Sequence, residues 1–139
     1  MHSVASHVVK LVALGQTIAE EVALRWATEH GIATVKAVST DLRALGQNVA
    51  DSDGTLLLTL SLVLSPEQKK AIEFLGANKK PFLHLWASVP QAGRLARHFL
   101  ESHEIKILNV VGSSRDSCRE QIAAFSSSVF DSLLSSAHV

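Results

Sequence analysis

Apolar and polar positions fall into blocks along the 139-residue chain, and the period inside each block switches between strand-like and helix-like. Residues 8–14, VVKLVAL, are a short β-branched and aliphatic run interrupted by Lys10. From residue 18 to residue 30, Ile18, Val22 and Trp26 recur every four positions with Ala19, Ala23 and Ala27 beside them. That is the period of a helix. Thr17 and Glu20 have the spacing of a capping box, and Gly31 is placed to end the helix. Residues 33–38 (ATVKAV) read as a second strand. Residues 40–49 read as a short helix with Leu42, Leu45 and Val49 on its apolar side, in spite of Gly46.

The third strand has the clearest pattern. TLLLTL (residues 55–60) follows Asp51-Ser52-Asp53-Gly54, and a continuous apolar run bounded by turn residues fits a strand covered on both faces. Asp51 and Asp53 read as turn residues at its amino end, with Asp53-Gly54 fixing its start. Ser65-Pro66-Glu67-Gln68 supplies a cap, a proline at the first helical position and a capping partner, and Ile72 and Leu75 give that helix an inward side. Residues 82–86 predict a fourth strand. A helix starting at Ser88-Val89-Pro90-Gln91 carries Ala92, Leu95, Ala96 and Phe99 as its apolar stripe. Residues 105–111 predict a fifth strand. A last helix spans 116–134, with Ile122, Phe125, Val129 and Leu133 inward, followed by a frayed tail at 135–139.

Five strands separated by helices imply an α/β domain spanning 1–139, with a mainly parallel sheet, right-handed crossovers and helices on both faces. Ligands in such sheets bind at the carboxyl ends of the strands. Composition narrows the ligand. Thirteen basic residues balance thirteen acidic ones, so any anion site is local and nucleic acid is not an expected partner. No apolar stretch approaches bilayer-spanning length, so no membrane partner is expected either. The single cysteine, Cys118, suits a reducing compartment, and the first apolar run lacks a basic start and a cleavage pattern. Both point to the cytoplasm.

Two strand-to-helix loops carry candidate chemistry. Gly15-Gln16-Thr17 joins a glycine, an amide and a hydroxyl at a helix start, where free N–H groups can hold a phosphate or cap internally. Asn109 and Gly112-Ser113-Ser114-Arg115 bring glycine, two hydroxyls and a guanidinium to the start of the last helix, which makes this the better phosphate candidate. The third loop, with Leu62-Val63-Leu64, is too apolar for such a ligand and suits packing or an interface. The seven histidines give no metal signature, because His98 and His103, five apart, do not align two ligands. His84, inside a strand, reads as a hydrogen-bonded core or rim residue. Cys118 lies near a helix start beside Arg119, but no histidine pairs with it in sequence, and it reads as a plain buried or surface cysteine.

Gly15-Gln16-Thr17, the run Asn48-Val49-Ala50-Asp51-Ser52-Asp53-Gly54-Thr55, Lys80-Pro81 before a strand, and Asn109-Val110-Val111-Gly112 together resemble the molybdenum cofactor carrier family. That family is part of a Rossmann-like group with the cytokinin-activating phosphoribohydrolases, the lysine decarboxylase-like proteins. The resemblance implies a Rossmann-like three-layer α/β/α sandwich, a homo-oligomer, and binding of the molybdenum cofactor (molybdopterin) or another phosphate-bearing ligand. By position it implies Gly15, Gln16 and Thr17 in the first loop and Asn109, Gly112, Ser113 and Arg115 in the last. This chain departs from the family pattern at Leu14 and Ile18, which replace glycines, and at Glu20-Glu21, which replace an Asp-Arg pair. Residues 39–47 are shorter than the family's second loop, and Leu62-Val63-Leu64-Ser65 replace its glycines and threonine after the third strand.

Non-enzymatic binding of a small-molecule anion is therefore the leading expectation. The alternatives are a nucleotide or phosphoribosyl hydrolase, for which Glu20 and Glu21 are the nearby carboxylates, and a structural module that buries Leu62-Val63-Leu64 between copies of the chain.

Overall fold

Strands and helices alternate along the chain in the computed structural model, which describes residues 8–15, 17–36, 42–61, 66–112 and 118–134. They are β1 (Lys10–Ala13), α1 (Ile18–Glu29), β2 (Ala33–Lys36), α2 (Leu42–Asp51), β3 (Gly54–Thr59), α3 (Pro66–Asn78), β4 (Phe82–Trp86), α4 (Ala92–Ser102), β5 (Ile107–Gly112) and α5 (Arg119–Leu134). All strand pairings are parallel, in the order β2-β1-β5-β3-β4. Helices α1 and α4 both pack against α5, whereas α2 packs against α3. This is the expected α/β/α sandwich.

Alternation along the strands gives the sheet two unlike faces. Leu11, Ala13, Leu56, Leu58, Leu85, Leu108 and Val110 join Ala19, Trp26, Ala96, Leu100, Ile122 and Phe130 in one continuous apolar core under α1, α4 and α5. Each buried leucine, isoleucine, valine or phenylalanine among them contributes about 1.5–3 kcal/mol by leaving water. The opposite face also holds Leu57 and Val111, but it carries Thr55, Thr59, His84 and Asn109 as well. All six residues of β3 are buried, as a strand covered on both faces must be.

The predicted ends hold where capping chemistry is strong. Thr17 and Glu20 make the capping box of α1 and Gly31 follows it at φ +73°. Three expectations change. Helix α4 starts at Ala92, after Gln91 in the left-handed region at φ 57° with no side-chain cap, so Ser88-Val89-Pro90 forms a turn outside it. Leu95 is 42% exposed, and Leu100 takes the inward place, because the buried stripe runs Ala92, Ala96, Phe99, Leu100. In α5, Phe125 is only partly buried, and Phe130 is fully buried against Trp26 with ring centroids 5.1 Å apart. Val49 is buried as expected, while the side chains of Leu42, Leu45 and Leu75 and the segment 62–65 lie outside the described residues.

Asp53 fixes more than a turn. Its Oδ2 accepts the backbone N–H groups of Lys106 and Ile107 at 3.0 and 2.9 Å, and its own N–H donates to the Ile107 carbonyl at 2.7 Å. The start of β3 is thereby locked to the start of β5. Asp53→Ala removes a charged acceptor from two backbone donors and is expected to destabilise the fold by about 1–3 kcal/mol. Urea unfolding of the two proteins measures this.

Candidate functional site

The order of strands locates the topological switch point. Strand β5 is last in sequence but central in the sheet, between β1 and β3. If β5 is counted first and the others follow in sequence, the order β2-β1-β5-β3-β4 becomes 3-2-1-4-5, the Rossmann arrangement. Chain leaving β5 leads to α5 on one face, and chain leaving its neighbour β3 leads to α3 on the other. The carboxyl ends of β5 and β3 therefore flank the topological switch point, where ligands bind in open α/β sheets. In the recounted order the first strand-to-helix connection is the one that follows Gly112.

Gly112 is held tightly from the β1 side. A Cβ on it would collide with the Thr17 hydroxyl and stand 2.7 Å from the Ala19 Cβ, so only glycine lets the end of β5 approach the first turn of α1 this closely. Its N–H donates to Glu20 Oε2 at 3.3 Å. Glu20 Oε1 accepts the Thr17 N–H at 3.4 Å, while Thr17 Oγ1 accepts the Glu20 N–H at 3.3 Å. Glu20 is only 2% exposed and Thr17 is 6% exposed. A buried carboxylate thus bridges the start of α1 and the end of β5. Gly15 stands at the rim with φ +76°, its Cα against the Lys36 side chain.

The structure thus brings Thr17 and Gly112 together, while Gly15 lies against Lys36 of β2. Gln16, Ser113, Ser114 and Arg115 lie outside the described residues. Asn109 is placed apart. It is 1% exposed, three residues before the end of β5, roughly 10 Å below Gly112 at strand rise. Its Nδ2 donates to Thr55 Oγ1 at 3.2 Å, and its Oδ1 has no partner among the described residues. The run 48–55 lies at the amino end of the sheet, where Asp53 ties β3 to β5, so it serves the fold rather than the crevice. Among the described residues no group of three or more His, Cys, Asp or Glu could hold a metal ion, and no helix is long and apolar enough to cross a membrane.

The model of the circularly permutated YpsA SLOG family matches residues 34–134. The chain belongs to this family. Its sheet order, which becomes 3-2-1-4-5 only when the last strand is counted first, is what a circular permutation of a Rossmann-like unit produces. A crystal structure from Syntrophus aciditrophicus SB, named "Putative molybdenum carrier protein", is similar to this family member with a TM-score of 0.79 and 25% identity. The likeness covers 92% of this chain and 96% of that one. None of the curated proteins matches it.

At the carboxyl end of β3 this member of the circularly permutated YpsA SLOG family has a polar pair that the sequence signalled only as two breaks in apolar strands. Thr59 Oγ1 donates to the Ser61 carbonyl at 2.6 Å, which leaves its lone pair to accept from His84 Nε2–H at 2.8 Å. That assigns the proton to Nε2 and leaves Nδ1 as an acceptor. His84 also packs on Trp86, with ring centroids 5.2 Å apart. The expectation of a hydrogen-bonded rim histidine holds, and the pair anchors the chain as it leaves β3. Sequence reading also found the Thr17–Glu20 box but not the reach of Glu20 to Gly112, because nothing local marks a contact between residues 92 positions apart.

Two measurements follow. Burial pushes the His84 pKa below its ordinary 6.5, so folding favours the neutral ring. The associated stability is complete above about pH 6.5 and declines as pH falls through that value toward the lowered native one. Compared with His84→Gln, which keeps a donor to Thr59 but does not titrate, the wild type should lose stability faster between about pH 7.5 and 5. Thermal melts at several pH values read the difference. Gly112→Ala must force α1 away from β5, and a loss of about 1–3 kcal/mol in urea unfolding is expected.

Proposed function

We propose that this chain is a binding protein that holds a phosphate-bearing or oxyanion ligand, of which a molybdopterin-type cofactor is the leading example, at the carboxyl ends of β5 and β3. One observation carries the reading. Gly112, packed too closely for any side chain, ends the central strand at the switch point and opens the run Gly112-Ser113-Ser114-Arg115. A glycine, two hydroxyls and a guanidinium in that position have the chemistry to receive a phosphate. The likeness to a protein named as a molybdenum carrier supports the same class of ligand.

Glu20 already accepts the N–H groups of Thr17 and Gly112, so the chemistry for the ligand's acidic group is assigned to Ser113, Ser114 and Arg115, with Gly15, Gln16 and Thr17 as further candidate contacts. Asn109 contributes from below, by holding β5 against β3 through Thr55. A second copy of the chain as partner and a cytoplasmic location are parts of the same proposal, the first checked by sedimentation equilibrium.

The test is a thermal-shift series with molybdate, phosphate, nucleoside mono- to triphosphates and a molybdopterin source. A phosphate-bearing ligand at about a hundredfold excess over its Kd should raise Tm saturably by several degrees. Arg115→Ala should abolish the rise. A flat response to every compound at millimolar concentration overturns the proposal.

A further inference from the structure

The outer surface of the helical layer dips along α5. This helix lies between α1 and α4, and three surface hollows of about 170, 420 and 540 Å³ each have a wall on it. Between residues 122 and 130 its exposed positions are Ala124, Ser127 and Ser128, so α5 forms the floor of a trough. Beside it α1 exposes Arg25, Thr28 and Glu29 and stands as a ridge. Ridges seated in grooves are how helices pack. The smallest hollow lies between this ridge and trough, with Arg25, Glu29 and Asp131 around it. None of the three makes a hydrogen bond or an ion pair among the described residues. Trp26 lines the same hollow at 4% exposure, and its Nε1–H has no acceptor among the described residues. Opposite charges and a buried donor are thus brought to one cleft without being satisfied in it.

We propose that the groove between α1 and α5 is the contact between two copies of this chain, with the α1 ridge of each seated in the α5 trough of the other. The inference rests on the reading of a second copy as partner, and it names the surface that copy uses. A two-fold axis along the groove exchanges the two helices and keeps their level, as a self-complementary contact requires. Arg25 and Asp131, which share one cleft within a copy, then face each other between copies, twice over. The short side chains of Ala124, Ser127 and Ser128 let the second ridge approach. A cation on the ridge and a carboxylate in the trough favour a partner with the same two features in reverse, and this chain is such a partner for itself.

Charge reversal tests this with little risk to the fold, because Arg25 and Asp131 are both exposed. Wild type, Arg25→Asp, Asp131→Arg and an equimolar mixture of the two variants are compared by sedimentation equilibrium, with thermal melts to show that each variant is folded. Glu29→Gln is the control, since it removes a charge from the same ridge without removing either partner of the proposed pair.

The wild type should sediment as a dimer. Each reversal sets like charges against each other twice and should raise the dimer Kd at least about tenfold. The mixture should recover the wild-type Kd, because each variant supplies the charge the other has lost. Glu29→Gln should stay as dimeric as wild type. A dimer that neither reversal loosens, a mixture that stays dissociated, or a Glu29→Gln loss as large as that of Arg25→Asp overturns this contact and leaves the second copy to another surface. A monomeric wild type overturns the contact and the second-copy reading together.

Discussion

Everything in this sheet depends on the two ladders made by β5. Strand β1 pairs only with β2 on its other side, and β3 only with β4. Without β5 the molecule is two separate pairs of strands, with no hydrogen bond between them in the sheet. Register along β5 is therefore the quantity the sequence has to control most tightly, since a slip of one residue would turn Leu108 and Val110 out of the apolar core. Asp53 supplies that control at the amino end by binding the backbone of residues 106 and 107. The packing of Gly112 against Thr17 and Ala19 supplies it at the other end. The central strand is pinned at both extremities, and one of those pins stands at the topological switch point.

Much of this organisation was legible from residue order because local chemistry and tertiary need agree. The apolar run of β3, the Thr17–Glu20 box and the terminal Gly31 each specify their element without help from elsewhere. Asp53-Gly54 was recognisable as a strand start, although its grip on β5 was not. Disagreement arose where two patterns competed. Pro90 suggested a helix start, but Gln91 turns left-handed and delays α4 to Ala92. Leu95 lies on the same helix as the true stripe, yet it is one position away from the line that faces the sheet, and small Ala92 and Ala96 take the close approach instead.

The candidate site was legible as a set of residue types and not as an arrangement. Glycine, hydroxyl and guanidinium side chains in the loops after β1 and β5 direct attention to the carboxyl ends of the strands. What residue order could not show is that the fifth strand lies beside the first, and that Glu20 crosses between them. For Asn109 the structure adds a partner that residue order did not show. Its side chain suits a polar ligand, but its position in the middle of a buried strand commits it to Thr55. Thr59 and His84 likewise come together only through the pairing of β3 with β4.

The late position of β5 in the chain has a consequence for how the molecule is made. Synthesis releases β1 through β4 before the strand that unites them, so the nascent chain presents two inner edges with unpaired backbone groups, those of β1 and β3. Such edges invite pairing with other chains, and a ribosome adding about 5–20 residues per second leaves them open while the rest is made. Closure of the sheet waits for residues 107–112 to leave the ribosome. In this fold the centre of the structure is the last strand to arrive, so the exposed edges belong to the growing polypeptide and not to the finished sheet.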